Sequence, residues 1–112
     1  MARYFLTLPD PAAARGTESE LSFSANSAEG LAEQLEAALR TPALFERWRA
    51  MQPDPEAIDP LLGEVDPGAR VEGKQSSLAI DLEVNTRLTG TVLRTRLRWL
   101  AGSHWQLRDV RN

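Results

Sequence analysis

Arg94, Arg96 and Arg98 stand at every second position of the run Val92–Trp99, alternating with Leu93, Thr95, Leu97 and Trp99. On a strand, that spacing sets three guanidinium groups on one face, where they can neutralise phosphates or carboxylates. The run before it alternates too. Leu78, Ile80, Leu82 and Val84 face one way, while Ala79, Asp81 and Glu83 face the other, the period of a half-buried strand. Asn85–Thr91, with Gly90, is short enough to join the two as an antiparallel hairpin. Parity then sets Asp81 opposite Arg96 and Glu83 opposite Arg94. With Arg87 and Arg108 added, the expected outward surface is an arginine-bearing sheet face. Two features count against nucleic acid there: the isoelectric point is near 5.1, and Trp99 and Trp105 fall on the apolar side, leaving no aromatic for a base to stack on.

Other chemistry is thinner. Asp54, Glu56, Asp59, Glu64 and Asp66 offer oxygen ligands for a hard cation, but their spacing misses the calcium-loop pattern and prolines interrupt it. They read instead as an acidic loop able to meet a partner. Gly68–Gln75 keeps the spacing of a phosphate-binding loop up to its last residue, where glutamine replaces the hydroxyl that holds magnesium. Such a loop must also open a helix, and here a strand pattern follows, so the segment is expected to be a turn. His104 is the only histidine, and Ser103 beside it would point to the opposite face of a strand, so the pair does not make a nucleophile and base. Cysteine is absent, which excludes disulfides and thiolate metal sites. No catalytic residue, metal site or cofactor is assigned, and the chain is read as not an enzyme.

These residues must be positioned by a single domain covering all 112 residues. Arg3–Leu8 alternates as a strand and Pro9 ends it. Glu20–Ala25 reads as a second short strand with Leu21 and Phe23 inward. Asn26 is expected to cap a first helix, with Glu29 completing a capping box. Leu31, Leu35, Ala38 and Leu39 form that helix's apolar stripe, opposite Glu29, Glu33, Glu36 and Arg40. Thr41-Pro42 restarts a second helix carrying Leu44, Phe45, Trp48 and Met51. Residues 52–73 form an acidic, proline-rich loop, and His104–Val110 a last strand with Trp105 and Leu107 inward. The predicted fold is α+β: an antiparallel sheet of about five strands, β-β-α-α-β-β-β, with two helices packed on one face.

Net charge is −3, but residues 1–73 hold six arginines against thirteen acids, whereas 74–112 hold seven basic residues against three. Within one domain such halves attract each other. Arginine supplies twelve of the thirteen basic residues, a bias that matches a GC-rich bacterial gene. Neither a signal-peptide core nor a membrane-spanning run is present, so a cytoplasmic location is expected. The functional expectation is a small non-enzymatic protein-interaction or accessory domain, whose partner is another protein or a second copy of itself. The alternative is weak nucleic-acid or polyanion binding by Arg87, Arg94, Arg96, Arg98 and Arg108.

Overall fold

Alternation shapes the first strand of a computed structural model that describes Met1–Asn112. In β1 (Ala2–Leu8), Tyr4, Leu6 and Leu8 are buried against the helices, and Arg3, Phe5 and Thr7 take the other face. The remaining elements are α1 (Ala28–Arg40), α2 (Ala43–Ala50), β2 (Arg70–Ser76), β3 (Ala79–Thr86), α3 (Gly90–Ala101) and β4 (Gln106–Arg111). Four antiparallel strands lie in the order β2-β3-β1-β4. The chain therefore makes two interleaved crossovers: β1 reaches β2 with β3 inserted between them, and β3 reaches β4 with β1 inserted. This is the split β-α-β, ferredoxin-like connectivity, with α2 as an addition to its first crossover.

The α+β class and the single antiparallel sheet agree with the sequence pattern, but the sheet has four strands rather than five, and there are three α-helices. Glu20–Ala25 is not a strand. It is a loop that still buries Leu21 and Phe23 and ties to α3 through the Phe23 amide, which donates to the Leu100 carbonyl at 2.9 Å. Ser27, not Asn26, caps α1, accepting from the Gly30 amide. The expected apolar stripe of α1 is buried as read, with Ala32 added.

The largest difference is α3. Val92–Trp99 is helical, so Arg94, Arg96 and Arg98 do not share a sheet face, and the pairs Asp81–Arg96 and Glu83–Arg94 do not form. The helical signals lie in the same residues. Thr89 caps the Val92 amide, Leu93, Leu97 and Leu100 repeat at helical spacing, and Gly102 ends the helix with φ of 64°. Gly68–Gln75 differs as well: all but its first two residues are strand β2 rather than a turn, so the acidic loop ends before Arg70.

Two helices cover the sheet. α1 runs along β2 so closely that a Cβ on Gly73 would lie 2.2 Å from the Ala28 carbonyl oxygen. α3 sets Leu93 and Leu97 beside Tyr4, Leu6 and Leu107. The second helix does not pack on the sheet as expected. Instead α2 rests on the helical layer, where Trp48 stacks on Trp99 with ring centroids 4.7 Å apart.

Candidate functional site

All three helices lie on one side, so the other face of the sheet is open. Strand register orders its side chains in rows. At one end Arg70, Asn85, Arg3 and Arg111 stand abreast on β2, β3, β1 and β4. The next row is Glu72, Glu83, Phe5 and Asp109, and the third is Lys74, Asp81, Thr7 and Gln106. A register shift between Phe5 and Leu6 inserts one extra β4 residue, Arg108, and turns it toward this face. The rows enclose a groove of about 550 Å³ lined by Phe5, Thr7, Glu72, Lys74, Asp81, Glu83 and Arg108.

Like charges meet within rows, Arg3 opposite Arg111 and Glu72 opposite Glu83, an unfavourable arrangement between neighbouring strands. Contacts within and between rows relieve part of it. Arg3 Nε donates to Asn85 Oδ1 at 3.1 Å and lies 3.9 Å from Glu83. Arg111 Nε donates to Asp109 Oδ2 at 2.9 Å, and its guanidinium sits 5.0 Å from the Phe5 ring centroid. The Arg111 and Val110 donors hold the Asp109 carboxyl below its ordinary range. In the groove, Thr7 Oγ1 donates to Asp81 at 2.7 Å. Phe5 is an aromatic side chain on the outward face, contrary to the expectation that none stands there.

The candidate residues scatter. Arg108 alone lines the groove. Arg94 and Arg98 are exposed on α3, on the helical side. Arg87 is exposed just beyond β3, its Nε 3.5 Å from Asp66. Arg96 is fully buried, and its guanidinium donates to the carbonyls of Ala38, Leu62 and Glu64 at 3.0, 2.7 and 2.7 Å. Burial lowers its pKa and the Glu64 charge opposes this, while a guanidinium stays protonated regardless. Arg96 thus clamps the 62–64 segment onto the end of α1.

Asp54, Glu56, Asp59 and Glu64 are exposed in the loop after α2, where Asp59 caps the Leu61 amide. Asp66, grouped with them by sequence, is buried at 3% exposure. Its carboxylate accepts from the Gly68 amide (3.0 Å), the Thr86 hydroxyl (2.8 Å) and the Arg87 amide (3.0 Å). Burial pushes its pKa up, but those donors and the Arg87 charge outweigh it and hold the carboxyl below 3.8. Of the groove residues, sequence reasoning missed Phe5, Thr7, Glu72 and Lys74. The signal for Phe5 was its parity with Arg3 and Thr7 on the outward side of β1.

No three His, Asp or Glu side chains converge where they could hold a metal ion. No helix is long and apolar enough to cross a membrane. Comparison with family models, curated proteins and solved structures finds no match to this chain.

Proposed function

We propose that the chain is a small, non-enzymatic, cytoplasmic protein-interaction domain that receives a partner protein on the open face of its sheet. One observation carries this reading: a groove of about 550 Å³ on an uncovered sheet face, with Phe5 inside and both signs of charge around it. An aromatic floor with charges of both signs suits a protein surface that brings an apolar side chain and a mixed rim. It suits a uniformly charged polymer less well. The test is capture from native lysate by tagged wild type and by Phe5→Ser and Glu83→Lys, each checked for intact fold by circular dichroism. The expected result is a stoichiometric protein that survives moderate salt with wild type and is lost with both variants. Identical captures by all three would remove the open face from the proposal.

A second reading, polyanion binding, draws support from a different feature. Arg70, Arg3 and Arg111 share a row with Asn85, so an anion there would relieve their mutual repulsion. These are not the arginines singled out by spacing. Binding would weaken steeply with salt and fall when Arg3 and Arg70 become glutamine. No binding at low ionic strength would eliminate it.

A further inference from the structure

β2 and β4 are the two edges of the sheet, and their treatment differs. On β4 the outward Val110 amide is taken by Asp109 Oδ1 at 2.9 Å, and the extra residue breaks the ladder. A blocked donor, a bulge and charged side chains are the usual protections of an edge. β2 is protected over only part of its length. The Val71 amide points away from β3 and donates to Glu36 Oε2 on α1 at 3.2 Å, while Arg40 Nε donates to the Ala69 carbonyl at 2.6 Å. Alternation along an antiparallel strand gives Gly73 and Gln75 the same outward direction as Val71. No hydrogen bond outside the sheet reaches their backbone groups. Helix α1 thus substitutes for a neighbouring strand at 69–71, and the edge beyond it is free.

Charge selects the occupant. Glu36 and Arg40 belong to a helical stripe that continues at Glu29 and Glu33, both exposed and outside any ion pair. On the open-face side of the edge Glu72 is exposed and outside any ion pair, flanked along β2 by Arg70 and Lys74. A second copy pairing edge to edge about Gly73 would bring its own Glu29 and Glu33 against these acids, because Ala28 at the start of α1 lies over Gly73. We infer that the Gly73–Gln75 edge of β2 accepts an extended basic segment of another protein by strand addition. Its backbone pairs with Gly73 and Gln75, and its alternate lysine or arginine side chains lie against Glu29 and Glu33. This surface is separate from the open face, and Phe5→Ser leaves it intact.

The test is titration of the full chain with three synthetic hexapeptides: alternating Lys-Val, alternating Glu-Val and a lysine peptide with the alternation scrambled. Amide hydrogen exchange is read residue by residue. Only the alternating Lys-Val peptide should bind, protecting Gly73 and Gln75. Glu29→Lys with Glu33→Lys should weaken it about tenfold, since like charges then face each other. Gln75→Pro, which removes an outward N–H without breaking the ladder to β3, should abolish binding in a folded protein. The inference is overturned by Lys-Val binding that leaves both amides unprotected or survives Gln75→Pro, by equal binding of the Glu-Val peptide, or by no binding. Protection that rises with protein concentration alone would assign the edge to a second copy and overturn it equally.

Discussion

Arg96 spends its positive charge inside the protein with no carboxylate within ion-pair distance, bonded instead to three carbonyl oxygens. Those carbonyls belong to α1 and to the loop after α2, so one side chain joins two parts of the chain with no ladder between them. Replacing it with leucine leaves three acceptors without a donor, each costing about 1–3 kcal/mol where water cannot enter. Arg96→Leu should therefore lower stability by about 3 kcal/mol in urea denaturation and make the 52–65 loop the first site of proteolysis. Asp66 is the acidic counterpart. Asp66→Asn should cost about 2 kcal/mol, the usual scale for hydrogen bonds to a buried charge. Its carboxyl is held below 3.8, so its contribution is complete above that pH and is lost as pH falls through the lower folded value. The urea midpoint of wild type should fall as pH drops below about 5, and more steeply than that of Asp66→Asn. Neither residue's role was legible in the sequence. Arginine and aspartate are exposed by default, and their burial depends on carbonyls and amides distant in the chain.

Elements were legible where one side faces a thick core. The β1 alternation, the β3 alternation and the α1 stripe each announce a buried face and form where the pattern sets them, except that Leu78, expected inward with Ile80, lies in the turn before β3 and is 86% exposed. α3 failed because two periods coexist in one segment: arginine recurs every second residue, while Val92, Leu93, Leu97 and Leu100 recur at helical spacing. Burying Arg96 turned the decisive position against the polar pattern. β2 was missed because an edge strand needs one apolar residue at most, and here only Val71 is buried. The β2–β3 hairpin also yields a prediction. Ser76 pairs with Ala79, so Ser77 and Leu78 form a two-residue loop, and Ser77 has φ of 59° where Leu78 has a negative value. That pattern is the turn that ordinarily carries glycine first. Ser77→Gly should raise stability by about 1 kcal/mol, relief of left-handed strain less the extra entropy of an unfolded glycine. A thermal melt that stays put or falls would show that the Ser77 conformation carries no strain.

At the scale of the whole molecule, the chain's two ends meet in the sheet: β1 lies between β3 and β4, so the first strand is completed by the last. This topology was not visible in local patterns, since no spacing states that Tyr4 will lie between Val84 and Val110. The charge asymmetry is only lightly expressed: Arg87–Asp66 joins a base of 74–112 to an acid of 1–73, whereas Arg3–Glu83 crosses with the opposite polarity. The central placement of β1 has a consequence for truncation. Its run Tyr4–Leu8 is uncharged and rich in aromatic and aliphatic residues, a composition prone to strand pairing wherever it is exposed. β4 satisfies one side of it and guards the new edge through Asp109 and the bulge. Deleting His104–Asn112 turns β1 into an unguarded edge and uncovers Leu6, which Leu107 faces in the intact sheet. The shortened chain should therefore elute from size exclusion as oligomers and scatter light on concentration, while the full chain passes as one species at equal concentration. Leu107→Lys, which keeps the strand and removes its apolar cover, should destabilise without producing oligomers. Oligomers from both variants would locate the protection in the side-chain cover, and oligomers from neither would show that β1 needs no guard.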